Sequence, residues 1–276
     1  MKRRYALIGI LLLSYLDIVI AQDLNYTGPI SHSMAKTKTM DHTVWSTLSN
    51  ASNTAYLKHI TIAAAYQMPH SIKELSSRAI VAVYPSQLGS FSALINQNGY
   101  HKSQLSKYGL SYSRAFGKNY SAFFQLNYIS HQIIRSNTSD AFYSSLGMLI
   151  KATNALQIGI YIQNPEQGKI SYSSHSFALP SYFNAGLEWS AGSAIKILGE
   201  IEKKLDHPTN YKVAGQFAMR ERLFVRFGIN GKPSLFTFGA GFILQQLQFD
   251  AGFSYHQQLG MTSGIGISYA FHKKSN

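Results

Sequence analysis

The 276-residue chain contains no cysteine, few charged residues and only one long apolar run. Without cysteine it can form no disulfide framework, no thiolate nucleophile and no zinc–thiolate site. Charged residues make up 13% of the chain, about half the share of a typical soluble domain. The mean hydropathy of −0.08 is too low for a protein that crosses a membrane with several apolar helices.

The chain is rich instead in aromatic residues and glycine, with 18 Tyr, 16 Phe and 21 Gly. So many aromatic side chains with so few charges argue against disorder and favour β-structure. The formal net charge is +13, but the basic residues are scattered and form no stripe interleaved with aromatic residues. We therefore predict no nucleic-acid partner and attribute the charge to attraction toward an anionic lipid surface.

The apolar run occupies residues 6–16, directly after the basic residues Lys2, Arg3 and Arg4. A basic start, a short apolar run and a small residue at Ala21 predict a secretory signal peptide that is cleaved near Ala21. The alternative is an uncleaved helical anchor. The run is shorter than the ~20 residues a membrane span needs, and Asp17 interrupts it, so cleavage is favoured.

After Lys58 the sequence alternates between apolar residues and small or polar ones. The clearest stretch carries Leu247, Phe249, Ala251, Phe253 and Tyr255 on one face and Gln248, Asp250, Gly252 and Ser254 on the other. This period of two is typical of β-strands, whose side chains point alternately to opposite faces. Fourteen strands are predicted, at 58–67, 77–84, 88–96, 103–115, 119–131, 140–151, 154–164, 180–190, 194–204, 210–219, 222–230, 234–243, 246–257 and 261–271.

The predicted strands fit a membrane barrel better than a soluble sandwich. Their number is even, their length suits a tilted span, and short and longer connections alternate, as they do in outer-membrane barrels. A soluble sandwich would carry abundant Lys, Glu and Thr on its wet face, whereas the polar faces here carry Gly, Ser, Ala, Gln and Asn. The predicted fold class is all-β: a transmembrane antiparallel up-and-down β-barrel of about 14 strands in contact with outer-membrane lipid.

Several blocks resemble the FadL-like outer-membrane barrels, in particular the PorV/PorQ-like group of Bacteroidetes-type bacteria. Residues 41–57 (DHTVWSTLSNASNTAYL) resemble that group's N-terminal block, in which Trp or Phe precedes an Asn-Pro-Ala-Gly turn, although the Pro is missing here. Residues 200–208 and 228–231 resemble its middle hairpin, and residues 253–271 its C-terminal hairpin. The resemblance implies a short helical N-terminal segment that enters the lumen as a plug.

The resulting organisation is a signal peptide at 1–21, a plug segment at 22–57, a barrel at 58–271 and a C-terminal overhang at 272–276. The resemblance implies two competing functions. The first is a non-enzymatic binding or scaffold component of a type IX secretion system, with secretion proteins as partners. The second is a FadL-like transporter that binds a hydrophobic ligand. Small residues on the inner face indicate a crowded lumen and favour the first: Gly239, Gly241, Gly264, Gly266 and Ser268.

Seven charged residues inside the predicted strands lie opposite an apolar face and are the lumen or plug-contact candidates: Glu188, Lys196, Glu200, Glu202, Lys212, Arg226 and Asp250. They could guide a ligand or anchor the plug. They could equally form ion pairs that fill the barrel interior, since an unpaired charge there is costly. The structural interpretation is favoured, with plug anchoring the leading functional one.

The longest predicted loop, 165–179, mixes polar residues with Ile170, Tyr172, Phe177 and Leu179. These four are candidates for contact with a partner or ligand, and packing of the loop on the barrel rim is the equal alternative. The ten histidines show no metal-binding spacing, and nothing marks Ser173, His175 and Glu166 as a hydrolytic triad. We therefore predict neither a cofactor nor an enzyme.

Overall fold

The computed structural model describes residues 26–134, 138–172, 176–220, 222–231 and 234–271. The predicted signal peptide and the C-terminal overhang lie outside the described residues. Within them, the only α-helix, α1, is Gly28–Ser33, and 3-10 turns follow at Val44–Leu48, Ala51–Tyr56, Pro69–Ser71 and Lys73–Leu75. None of the described helices has the length and apolar character needed to cross a membrane.

The described chain contains sixteen strands, which are listed in chain order. They are β1 (Ile60–Met68), β2 (Ser77–Ser86), β3 (Gly89–Tyr100), β4 (Ser103–Phe116), β5 (Tyr120–Ile133), β6 (Ser139–Lys151), β7 (Leu156–Gln163), β8 (Lys169–Ser171), β9 (Ser176–Ala178), β10 (Tyr182–Ala191), β11 (Ile195–Lys204), β12 (Asn210–Met219), β13 (Leu223–Asn230), β14 (Leu235–Leu244), β15 (Leu247–His256) and β16 (Gly260–Phe271).

Fourteen of these strands form one closed antiparallel barrel. Neighbours in sequence pair throughout, β7 pairs with β10, and β1 pairs with β16 to close the ring. Closure leaves no unpaired strand edge, which is the condition for a sheet to exist in lipid. The predicted fold class and strand number are confirmed, and the predicted boundaries differ from the observed ones by no more than four residues.

The two faces of the wall have the predicted polarity. Outward side chains form an exposed apolar belt; Leu110, for example, is 71% exposed and Phe142 63%. Inward side chains alternate with them, and Ser113, Asn127 and Leu149 are fully buried. An exposed apolar surface of this extent is stable only in contact with hydrocarbon. The chain is therefore a multi-pass outer-membrane β-barrel.

The remaining two strands, β8 and β9, form a small separate hairpin in the connection between β7 and β10. The sequence analysis treated this stretch as an irregular loop. Each strand has only three residues, which is too short for a period of two to stand out from the surrounding polar residues.

Candidate functional site: the barrel lumen and its N-terminal segment

Residues 26–57, the N-terminal segment, lie inside the barrel. Helix α1 begins at Gly28, whose positive φ of +87° is accessible to glycine at little cost, and Pro29 follows where its missing N–H costs no helical bond. The later turns begin at polar caps: the Thr43 side chain accepts a hydrogen bond from the Trp45 N–H, and the Asn50 side chain accepts one from the Ser52 N–H. Each cap pairs a backbone N–H at the start of its turn that would otherwise have no partner.

The segment forms an apolar core with the inner face of the wall. Trp45 is fully buried, and Ile30, Met34, Val44 and Leu48 are nearly so. They belong to one hydrophobic cluster with inward side chains that come mainly from β1 to β3: Ala63, Ala79, Val81, Val83, Leu94, Leu149, Leu198 and Ala214. The segment is therefore packed as tightly as a domain core and is not a loose tail.

Glycines on β14, β15 and β16 let the segment approach the wall backbone. A Cβ at Gly239 would lie 2.5 Å from the Cβ of Ser33, and one at Gly252 would lie 2.5 Å from the Pro29 carbonyl oxygen. A Cβ at Gly266 would lie 2.7 Å from Pro29 Cγ and 2.8 Å from Trp45 Cζ2. Such separations are too short for any side chain, so this side of the barrel, which we call the glycine wall, must lack them.

Charged residues hold the segment on β11 and β12. Lys38 pairs with Glu202 at 2.8 Å, and Lys212 pairs with Glu200 at 3.1 Å and with Glu202 at 2.9 Å. Lys212 also donates a hydrogen bond to the Lys36 carbonyl oxygen at 2.9 Å. Because Lys212 and Glu200 are almost fully buried, these bonds are shielded from water and are worth more than surface pairs.

Glu200 is the centre of this arrangement. Its Oε2 accepts hydrogen bonds from the backbone N–H of Lys38 at 2.7 Å, from that of Thr39 at 2.9 Å and from the Thr39 hydroxyl at 2.8 Å. Its Oε1 accepts from Lys212 and from the Asn184 amide at 3.0 Å. A carboxylate with this many donors satisfies backbone groups of the segment that would otherwise be buried without partners.

The remaining candidates lie on either side of this cluster. Glu188 bonds His42 of the segment at 2.9 Å and pairs with Lys196 at 3.3 Å. Arg226 pairs with Asp250 at 2.8 Å and bonds Gln216. Of the seven predicted residues, four therefore contact the segment directly: Glu188, Glu200, Glu202 and Lys212. Lys196, Arg226 and Asp250 pair within the wall.

The sequence did not reveal which residues of the segment bind these wall residues, because an irregular chain inside a lumen has no repeating pattern of polar and apolar residues. Lys38, Thr39 and His42 are the main ones. Thr237 was also missed, although the alternation of β14 places it inward: it accepts from the Ala35 N–H at 2.9 Å and donates to the Ser33 carbonyl oxygen at 3.0 Å. A search for polar residues between outward aromatic ones would have identified it.

The Asp41 side chain is buried and makes its hydrogen bonds within the N-terminal segment. Its Oδ1 accepts hydrogen bonds from the Thr43 N–H at 2.9 Å and from the Thr43 hydroxyl at 2.6 Å. Burial raises the pKa of the Asp41 carboxyl, and the Thr43 hydrogen bonds only partly oppose this. The closed segment therefore favours the protonated form of Asp41 relative to an Asp in water.

The hairpin β8–β9 covers the barrel end at which the longer connections emerge. Ile170 and Leu179 are buried, and Tyr172 and Phe177 pack against the same cluster, which includes the inward residues Leu105, Ile129, Ala141 and Tyr143. Tyr172 Oη also bonds His131. Two of the four predicted partner-contact residues are thus unavailable to a partner, and the geometry favours the alternative in which the loop packs on the rim.

A cavity of about 710 Å³ lies outside the lumen, on the lipid side of β1 and β13 to β16. Small side chains form its floor at Ala64, Ala240 and Ala251, and Phe242 and Phe249 stand beside it. It is apolar and continuous with the outer belt, so it is not a path through the barrel. No group of three or more metal-ligating side chains exists among the described residues.

No protein-family model matches this chain, and no curated protein matches it. Its fold is similar to solved structures. The toluene transporter TbuX of Ralstonia pickettii has a TM-score of 0.69 at 11% identity, over 91% of this chain and 100% of that one. The toluene transporter TodX of P. putida has 0.66 at 12% identity, over 91% and 100%. A FadL homologue of Pseudomonas aeruginosa has 0.61 at 10% identity, over 89% and 98%.

At these identities the likeness establishes the fold alone. It gives no support to the PorV/PorQ-like part of the resemblance. The chain has the fourteen-stranded architecture that these FadL-type outer-membrane transporters share.

Proposed function

We propose that the chain is a FadL-like transporter that passes hydrophobic small molecules across the outer membrane. The observation that carries this proposal is the match over about nine-tenths of this chain to proteins described as toluene transporters. The likeness covers the whole barrel of those proteins, so the two folds are of the same kind from end to end. The secretion-scaffold function, which the sequence analysis favoured, has no comparable support.

The N-terminal segment is the movable part in this proposal. It is packed across the lumen and is held by bonds to β11, β12 and β14, three strands that lie close together in the barrel wall. A solute can pass only if some of these bonds break. We infer that the ion pairs around Glu200 keep the empty barrel closed, and that transport requires the segment to shift away from part of the wall.

The first experiment is uptake of labelled toluene by a Gram-negative host that lacks its own hydrocarbon channels. Cells that make this protein are expected to take up toluene faster than cells with an empty vector. Equal uptake, with the barrel folded in the outer membrane, would contradict the proposal. Native mass spectrometry of the extracted protein is the second measurement: a retained hydrophobic adduct favours transport, and a retained protein partner favours a scaffold.

Movement of the segment can be tested with a disulfide, because the chain has no cysteine of its own. A Cβ at Gly159 would lie 3.1 Å from the Cβ of Thr39, shorter than the ~3.5–4.5 Å found in disulfides, and 2.9 Å from the Thr39 carbonyl oxygen, so the segment must shift slightly to accept the bridge. The double variant Gly159→Cys/Thr39→Cys, once oxidised, should lose uptake and regain it on reduction. Thr39→Cys alone is the control. Unchanged uptake by the locked protein would show that this part of the segment need not move.

A further inference from the structure

The cavity on the lipid side of the wall, which we call the outer groove, crosses the five neighbouring strands β13 to β16 and β1. Residues that face each other from strand to strand form its row nearer the short connections: Leu223, Phe242, Phe249, Ile267 and Ala64. The row nearer the longer connections is formed in the same way by Ala240, Ala251, Ile265 and Tyr66. Both rows belong to the outward face of their strands, so the groove, of about 710 Å³, is a recess in the apolar belt itself.

The floor of the outer groove consists of Ala240 and Ala251, which face each other on β14 and β15. An aromatic pair stands on each side of this floor, two positions away along the same two strands: Phe238 with Phe253, and Phe242 with Phe249. The rings of the first pair stack with their centres 5.2 Å apart. Because a methyl group is much shorter than a benzyl group, the recess is narrow and has aromatic sides. If it stayed empty, the side chains around it would lose their dispersion contacts on one side.

A flexible alkyl chain fits this recess better than a second barrel does. The outer surface of a barrel is convex, and the side chains of a neighbouring copy would rest on the phenylalanine rings before they reached the alanines between them. An alkyl chain can follow the floor and contact both aromatic pairs at once. Lipid chains are the alkyl groups that a bilayer brings to this surface, so the shape of the groove favours a lipid as its occupant.

One end of the outer groove lies at the membrane surface beside two basic residues. Leu223, which lines the groove, is the first residue of β13. The connection before it is short, and short connections face the periplasm in outer-membrane barrels. Arg220 and Arg222 are exposed in this connection, and Glu221 between them lies outside the described residues. Guanidinium groups at a membrane surface attract anionic headgroups and bind phosphate through paired hydrogen bonds.

We propose that the outer groove binds an acyl chain of an anionic phospholipid from the periplasmic leaflet, with the headgroup phosphate at Arg220 and Arg222. The chain enters beside Leu223 and lies over Ala240 and Ala251, between the two aromatic pairs. The arginines supply the counter-charge at the membrane surface, and the groove supplies the apolar contacts. This site goes beyond the proposed transport function and does not depend on it, because the groove lies outside the lumen.

The experiment titrates the delipidated full-length barrel in detergent with palmitoyl-oleoyl-phosphatidylglycerol and counts the bound lipids by native mass spectrometry. Palmitoyl-oleoyl-glycerol, which has the same chains and no phosphate, is the matched probe. The test variant is Ala240→Trp, which fills the floor of the groove, and Ala251→Leu is a second, smaller one. The control is Ala93→Trp: Ala93 is also an exposed alanine of the lipid face that faces another alanine, Ala82, and it does not line the groove. Heat-dependent gel mobility checks that each barrel is folded.

The wild type and Ala93→Trp are expected to bind one phosphatidylglycerol more tightly than any further one, and Ala240→Trp to lose this first lipid. Arg220→Gln/Arg222→Gln should bind it about fivefold or more weakly, and should bind the phosphate-free lipid as the wild type does. Equal phosphatidylglycerol binding by Ala240→Trp and Ala93→Trp would overturn the groove as the site. Equal binding by the wild type and the double arginine variant would overturn the headgroup contact.

The same measurements separate the lipid from other occupants. A wild-type dimer that Ala240→Trp abolishes would overturn the proposal and assign the groove to a second copy of the chain. The mass of the adduct distinguishes a phospholipid from a smaller transported solute. Toluene uptake should be the same in Ala240→Trp and the wild type, and absence of uptake in both would contradict transport while the lipid site stands.

Discussion

The N-terminal segment meets two different walls of the same barrel. On the glycine wall, β14 to β16, it touches backbone at Gly239, Gly252 and Gly266, where no side chain fits. On β10 to β12, which we call the charged wall, it is held by ion pairs and hydrogen bonds from Glu188, Glu200, Glu202 and Lys212. The glycine wall leaves no room for side chains between itself and the segment, and the charged wall supplies specific bonds to the segment.

The two walls therefore affect the segment differently: one determines where it lies, and the other determines how strongly it is held. Close packing against glycine fixes where the segment sits, but its dispersion energy is spread over many small contacts. Buried ion pairs concentrate energy in a few groups, because breaking one leaves a charge without a partner in a dry interior. We infer that the glycine wall sets the register of the segment and that the charged wall sets the free energy of its release.

Release can be followed with one reporter, Ser49→Cys. Ser49 is 1% exposed and its hydroxyl has no hydrogen-bond partner among the described residues, so the substitution costs little. The rate at which a maleimide labels this thiol reports how often the segment opens. Each variant below is compared in this background, with barrel folding checked by heat-dependent gel mobility.

The largest effect is expected from Lys212→Met on the charged wall. It leaves Glu200 and Glu202 buried with less counter-charge, at a cost of about 3–5 kcal/mol. If most of that cost falls on the closed state, labelling of Ser49→Cys should accelerate by about 100-fold or more. The double variant Glu200→Gln/Lys212→Met removes the stranded charge, keeps the Lys38–Glu202 pair and should recover much of the loss. Slow labelling of Lys212→Met would show that the charged wall does not hold the segment.

An intermediate effect is expected from Gly266→Leu on the glycine wall. The new side chain would overlap Pro29 and Trp45, and overpacking of this kind costs about 1–3 kcal/mol. Labelling should accelerate roughly 5- to 100-fold. Gly199→Leu is the matched control, since a Cβ there meets nothing within 4 Å. Equal labelling rates for the two leucine variants would show that close packing against the glycine wall does not help to hold the segment closed.

A smaller effect is expected from Lys196→Met. The Lys196 side chain is 33% exposed and pairs with Glu188, which keeps its bond to His42. Exposed pairs contribute about 0–1 kcal/mol, so labelling should change by no more than about fivefold. The difference from the wild type should also shrink in high salt, because solvent reaches this pair. A change as large as that of Lys212→Met would mean that burial does not determine how much each ion pair stabilises the closed segment.

The two walls also differ in how far the sequence predicts them. The alternation in β15 identifies its lipid face from Phe249, Phe253 and Tyr255, and the same pattern places the charged residues of β11 and β12 inward. It cannot show that Glu200 binds Thr39, because the contact joins residues 161 apart through a segment without a period. The hairpin β8–β9 was missed because three-residue strands leave no pattern.

The smallest effect is expected from the pH dependence of Asp41, which lies between Thr39 and His42 in the part of the segment that the charged wall binds. The raised pKa of this buried carboxyl means that the closed segment binds the proton more tightly than the open one. Stability of the closed state is therefore greatest below the ordinary Asp pKa of about 3.9, and falls as the pH rises from there through the raised value. Asp41→Asn keeps an oxygen for the Thr43 donors and cannot ionise. The ratio of wild-type to Asp41→Asn labelling rates, which cancels the pH dependence of the thiol itself, should rise with pH and then level off. A ratio that falls with pH would mean that ionised Asp41 stabilises the closed segment, as the carboxylates of the charged wall do.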